Sequence, residues 1–353
     1  MLYYTGVCLL TAAIGGLSSE RNRKTAYFLI FIMLVLMFGL RGDFTADYNN
    51  YKYLFNYYNS TSLSSIISVE STQEIGFVLL TKFLSNFLSY QVYLIIIGII
   101  IVGCFMYGFM NESSEPWIAL ILFIAFGEYF ASFNTMRQTI ASSILFAGNK
   151  FLYSRDFKKY LFFVVIASSM HITSIIMLLM YFLLNAKIDK AYIIRFTVIS
   201  FVALIGLKTV VQVLPIFIPR LGYYNLGDYG MTGGSIGYFI GPAITILFIF
   251  ILYYTGSADD FDIDNNVIRI QLNAFGYASV VSLLTTQAFL LSRFSGFFLP
   301  HSFILISNLL HNSTMETNKR IISLGILLLC LIYIFISLSG SGYDPYYFYW
   351  NSK

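Results

Sequence analysis

The chain is laid out as a succession of apolar runs. Most are close to the ~20 residues that a helix needs to cross a ~30 Å hydrocarbon core. They fall at 2–17, 26–40, 91–110, 117–132, 138–153, 192–214, 236–255, 268–291, 294–311 and 320–338. Two further stretches, 74–88 and 160–186, are apolar but ambiguous in length. This pattern leaves no room for a soluble domain. Composition agrees: 58% of residues are hydrophobic and 11% charged, where soluble domains carry roughly 25% charged residues. A soluble globular enzyme and a disordered chain are both excluded. Strand-type alternation is absent, which argues against a β-barrel. The net charge of +4 is too small and too scattered for a nucleic-acid binder. Cys8, Cys104 and Cys330 each sit inside an apolar run, with no CxxC or Cys/His cluster. Neither a disulfide framework nor a metal site is expected. The expected fold is an all-α polytopic membrane protein of about twelve transmembrane helices. It forms a single integral membrane domain over residues 1–353, with external loops near 41–73 and 215–235.

Orientation follows the Lys/Arg bias of short loops. The N-terminus, MLYYTGVCLL, has no positive n-region and is not read as a cleavable signal peptide. Arg21, Arg23 and Lys24 follow the first run and belong inside, which puts the N-terminus outside. The second run exits at Arg41 into a polar, tyrosine-rich segment. Residues 74–88 are too short to cross comfortably and predict an interfacial or re-entrant helix on the outer side. Run 138–153 delivers Lys150, Arg155, Lys158 and Lys159 to the cytoplasm. The segment after 160–186 is again basic, with Lys187, Lys190 and Arg195. An even number of crossings must separate the two basic segments, yet about 25 residues span only roughly 37 Å as one helix. Two half-length helices meeting at Ser168-Ser169-Met170-His171 resolve the conflict, with His171 at the apex. A single crossing of reversed polarity is the alternative. Arg220 falls in the second external loop, Arg293 at the outer end of run 268–291, and the aromatic tail lies outside.

This topology gathers Arg41, Asp47, Glu74, Glu128, Arg137, His171, Arg220 and Arg293 on or near the outer face. Charge beside the bilayer is expensive and usually has a pairing or functional reason. Guanidinium forks bind phosphate oxygens two at a time. The tyrosines at 48, 51, 53, 57, 58, 343, 346, 347 and 349 offer ring faces and hydroxyls to sugars. Each residue also has a plain structural reading. An Arg at a span end snorkels to headgroups, interfacial Tyr anchors a belt, and an intramembrane His packs helices. The combination, several Arg and one His on a single side, points to an anionic substrate.

The order Arg41-Gly-Asp-Phe-Thr-Ala-Asp47-Tyr48, Glu74-Ile-Gly76-Phe77, Asn134-Thr-Met-Arg137-Gln138, His171-Ile-Thr-Ser, Arg293 and a tail with Tyr346-Tyr-Phe348 resembles the EpsG-like branch of the Wzy polymerases, which build bacterial O-antigen and capsular polysaccharide. Thr45 stands where relatives often have Gly, and Thr173 where they often have Ser. The resemblance implies a polymerase in the bacterial cytoplasmic membrane, working at its outer face. Its substrates would be oligosaccharide repeat units carried on undecaprenyl diphosphate, and a chain-length regulator and a flippase would be its protein partners.

A donor that carries its own diphosphate leaving group needs no nucleotide, and no cofactor is expected. Arg137 and Arg293, assisted by Arg41 or Arg220, are assigned to the charge growing on that group. His171 is the first candidate to take the proton from the attacking sugar hydroxyl, with Asp47 or Glu74 second. Arg41, Asp47, Tyr48, Glu74, Gln138, Arg220 and Tyr346 are expected to bind the substrate, with Gln138, Asp47 and Tyr48 orienting the acceptor sugar. The rival readings are a flippase or exporter of the same lipid-linked glycan, a ligase that hands glycan to a lipid acceptor, and a membrane acyltransferase.

Overall fold

A computed structural model of the chain describes residues 2–68, 73–217, 243, 246, 265–287, 289–311, 316–338 and 345–351. The expected run 236–255, the loop carrying Arg220, and Tyr343 lie outside the described residues, the single positions 243 and 246 apart. Among the described residues the chain is helical, without a β-strand; a lone antiparallel bridge joins Arg41 to Phe348. The helices are α1 (Leu2–Gly16), α2 (Arg23–Gly39), α3 (Tyr48–Ser60), α4 (Leu63–Ser68), α5 (Ile75–Ser85), α6 (Tyr90–Glu112), α7 (Pro116–Ala125), α8 (Glu128–Ala131), α9 (Met136–Ala147), α10 (Asn149–Tyr153), α11 (Phe157–Met170), α12 (Ile176–Leu184), α13 (Lys190–Phe217), α14 (Asn266–Thr285), α15 (Ser295–His311) and α16 (Glu316–Leu338).

Among the described residues four helices are long and apolar enough to cross a membrane by length and composition: Tyr90–Glu112, Lys190–Leu207, Asn266–Thr285 and Lys319–Ser337. The all-α membrane class expected from the apolar runs holds; of the twelve crossings expected, four helices among the described residues meet these criteria. Two runs read as single spans are interrupted. Run 117–132 becomes α7 and α8, split at Gly127, whose φ of +82° is left-handed and favours glycine. Run 138–153 becomes α9 and α10, which meet at Gly148. The polar segment after Arg41 is mostly helical. In α3, Tyr48, Tyr51, Phe55 and Tyr58 recur at helical spacing and are buried. Tyr53, off that stripe, is 68% exposed.

The chain divides into two compact units, Met1–Met180 with Glu316–Lys353, and Tyr181–Met315. The first is held by aromatic packing. Phe105 of α6 meets Phe123 of α7 at 4.6 Å and Phe146 of α9 at 5.3 Å between ring centres. In lipid, where helices gain nothing from burying oil against oil, such close van der Waals packing carries the association. In the second unit the Asn273 amide of α14 donates to the carbonyls of Leu184 and Ala186, at 2.8 and 3.0 Å. The Gln287 amide donates to the Leu204 carbonyl at 2.9 Å.

Segment 160–186 is broken where the hydroxyl-rich stretch suggested. α11 stops at Met170, and His171 is extended (φ −156°, ψ 118°). A 3-10 turn, Ile172–Ile175, follows and leads into α12. No proline or glycine causes the break. Instead the hydroxyls compete for backbone groups: Ser169 donates to the Ile166 carbonyl at 2.7 Å and Ser174 to the His171 carbonyl at 2.8 Å.

Candidate functional site

The charged cluster forms at that break. α5 begins just after Glu74 and runs for 11 residues, about 16 Å of helix and too short to cross. It packs on α11 through Gly76. A Cβ there would lie 2.7 Å from the Ser169 carbonyl oxygen and closer still to its hydroxyl. The missing side chain is what lets α5 approach the end of α11, and Glu74 is thereby brought to His171.

Glu74 does not cap its own helix. One oxygen, Oε1, sits 3.1 Å from His171 Nδ1 and accepts the Ile172 N–H at 3.1 Å. The other, Oε2, accepts from Arg137 Nη1 at 2.5 Å. Glu74 thus satisfies the backbone group freed by the break while joining an arginine to a histidine. Burial raises its pKa, but the His171 hydrogen bond, the Ile172 N–H and the Arg137 charge outweigh this and hold the carboxyl at about 2. An ionised carboxylate only accepts hydrogen bonds. The imidazole nitrogen facing it therefore carries its hydrogen, and in the neutral ring Nε2 is then the acceptor.

Arg137 is placed by the first turn of α9. Its guanidinium lies 5.8 Å from the Phe77 ring centre, and the Tyr51 hydroxyl meets both its backbone and its side chain. Burial pushes the Tyr51 phenol up, so it remains a neutral hydroxyl there. Asn134, three residues before Arg137, accepts the Asp47 backbone N–H at 3.2 Å, tying the start of the α3 segment to α9. The three charged side chains are part-open, with 24% of Arg137, 15% of Glu74 and 14% of His171 exposed.

Other residues singled out from sequence lie elsewhere. Arg41 is wholly buried. Its Nη1 donates to the Phe38 carbonyl at 2.6 Å, and its guanidinium lies 4.0 Å from the Phe38 ring and 5.0 Å from the Phe133 ring. Its Nε and Nη2 have no hydrogen-bond partner among the described residues. The tail seals it: Gly42 N–H donates to the Tyr347 carbonyl at 2.7 Å and Tyr349 N–H to the Leu40 carbonyl at 3.0 Å. Tyr346 is buried with its hydroxyl on the Met37 carbonyl at 2.7 Å. Tyr48 is also buried, and its carbonyl accepts from the Tyr90 hydroxyl at 3.2 Å. Asp47 is half-buried and accepts from the Asn50 amide at 3.2 Å, and Gln138 is buried beside Arg137 in sequence. Arg293 is exposed, in a 3-10 helix (Phe289–Phe294) of the second unit. Arg220 lies outside the described residues. Glu74, expected as a substrate ligand or second-choice base, is instead the link between Arg137 and His171. Sequence reasoning also missed Tyr51 and Asn134 as supports. Gly76 was the available signal, since a residue without a side chain lets two helix backbones approach closely.

Long apolar helices and an ionisable cluster at a helix break define a helical membrane protein with a polar site beside its apolar surface. Among the described residues no group of three or more His, Cys, Asp and Glu could hold a metal ion. The chain belongs to the EpsG family, whose model matches residues 24–351, and its role is accordingly polysaccharide polymerase-related. No curated protein and no solved structure matches the chain.

Proposed function

We propose that the chain is a glycosyltransferase that polymerises oligosaccharide repeat units carried on undecaprenyl diphosphate, at the outer face of the bacterial cytoplasmic membrane. The observation that carries this reading is the Arg137–Glu74–His171 cluster, built from three distant segments and part-open. Arg137 takes the diphosphate of the donor and stabilises the charge that grows on it as the anomeric C–O bond breaks. His171 Nε2 accepts the proton of the attacking sugar hydroxyl as the new glycosidic bond forms, and direct displacement inverts the anomeric centre. Glu74 is a poor base at neutral pH because its carboxyl is held at about 2. Its part is to fix the imidazole and to hold Arg137 until the diphosphate competes for it.

The test is reconstitution of the full chain in liposomes with lipid-linked repeat units. A ladder of longer glycans on a gel is the expected result. Movement of the units across the bilayer without growth would make it a transporter, and transfer of glycan to a lipid acceptor would make it a ligase; either outcome overturns the proposal.

A further inference from the structure

A second charged site lies away from the cluster, where α10 turns into α11. The turn is tight. Asp156 N–H donates to the Phe151 carbonyl at 2.9 Å and Arg155 N–H to the Leu152 carbonyl at 3.2 Å. This is the paired closure of a helix that ends on a left-handed residue. That residue is Arg155, with φ +56°, where a Cβ crowds the following carbonyl oxygen. The reversal swings the first turn of α11 back over α10, so that Lys150 and Lys159 share one ring: their ammoniums lie 5.0 and 5.5 Å from the centre of Phe151.

The space between is a cleft of about 520 Å³ lined by Tyr107, Lys150, Phe151, Lys158, Lys159 and Phe162, among others. Asp156 pairs with Lys159 at 2.8 Å, and Lys150 donates to the Tyr107 hydroxyl at 3.2 Å. Asp156 also feels the charge of Lys158, so one carboxylate faces three lysines and the cleft carries net positive charge. Its floor is aromatic. The apolar surface continues down α11, because Lys158, Phe162 and Val165 follow one another at i, i+4 and i+7 and share a face. Phe162 is 62% and Val165 60% exposed.

A cationic mouth opening onto an exposed apolar track has the chemistry of one kind of ligand, an amphiphile with an anionic head. We propose that this cleft binds the phosphate of an anionic phospholipid, with Lys150 and Lys158 on the headgroup and an acyl chain lying along Phe162 and Val165. The Lys/Arg bias assigns these lysines to the cytoplasmic leaflet, where juxtamembrane lysines add attraction to anionic lipid. The site is separate from the glycan chemistry and does not depend on it.

Native mass spectrometry of the purified full chain tests it. The probes are phosphatidylglycerol and phosphatidylcholine of the same acyl chains, with inorganic phosphate as competitor. The expected result is that phosphatidylglycerol is retained at least about tenfold more than phosphatidylcholine on the wild type. The preference disappears in K150Q/K158Q, and Phe162→Ser weakens retention without restoring phosphatidylcholine. Equal retention of the two lipids on the wild type overturns the site without recourse to any variant. So does displacement of phosphatidylglycerol by an equal concentration of inorganic phosphate, which would mean an anion site with no lipid character. A lipid preference unchanged in K150Q/K158Q overturns the assignment of the lysines.

Discussion

Arg137 and Arg41 are the same residue type, both expected on the outer face from the same rule, and the fold treats them in opposite ways. Arg137 is paired with a carboxylate and left part-open, so a stronger anion can exchange for Glu74 at little desolvation cost. Arg41 is buried, bonded to the end of α2 and lidded by the tail. With no counter-ion among the described residues, Arg41 is held by its packing against Phe38 and Phe133 and by the carbonyl at the helix end. Burial lowers its pKa, yet a guanidinium stays charged in proteins. The difference teaches that a guanidinium near a membrane surface acquires chemistry from its partner and its access. Charge alone does not confer it.

The sharpest way to break the comparison is to remove each arginine in turn. Arg137→Ala is expected to lower polymer yield by about 10²–10³-fold, the range for losing one transition-state donor, while the protein remains in the membrane. Arg137→Lys is expected to be severely impaired too, because an ammonium cannot make the two-point contact. Polymer of wild-type length from either variant in a polymerase-deficient strain would reduce Arg137 to a structural pair.

Arg41→Ala should do the reverse. It empties a buried site and is expected to lower stability by about 2–4 kcal/mol, read as a lower melting temperature of the purified chain. Polymer made per folded molecule should fall far less than in Arg137→Ala. If instead the variant melts normally and makes no polymer, the buried arginine belongs to the chemistry and the contrast fails.

Gly76→Ala sharpens the account of how the cluster is assembled. A Cβ must push α5 off Ser169, at a cost of about 1–3 kcal/mol, and carry Glu74 from His171. Activity should fall together with stability. Ser169→Ala, which removes the nearest atom of the clash, is expected to restore part of both.

The smallest effect is on acid stability. Glu74's folded pKa of about 2 lies below the ordinary 4.5, so its stabilisation is complete above pH 4.5 and is lost as pH falls through about 2. Glu74→Gln is expected to cost about 1–3 kcal/mol at neutral pH and to flatten that acid limb. A melting curve whose pH dependence is the same with and without Glu74 would show that the carboxylate is not held as described.

Several parts of this arrangement are legible in the residues. The break at His171 follows from the basic segments on either side of 160–186 and from the run of hydroxyls, and it is found there. The short helix after Glu74 follows from its length. What was not legible is equally specific. Tyr48, Tyr51 and Tyr58 read as a sugar-facing loop, because alternation of aromatic and polar residues looks the same in a wet loop and in a helix with one buried face. The divided runs at Gly127 and Gly148 read as continuous, since a single glycine hardly disturbs an apolar average.

The sequence by itself determined that this is a helical membrane protein, that its helices break at a hydroxyl-rich stretch, and that its positive charge divides between guanidiniums and a lysine cluster. These follow from local quantities: apolar run length, propensity and charge bias. Only the tertiary structure decided that Glu74 joins Arg137 to His171 and that Arg41 is sealed by the tail. Those outcomes depend on residues 63, 97 and about three hundred positions apart meeting in space, which no local pattern encodes.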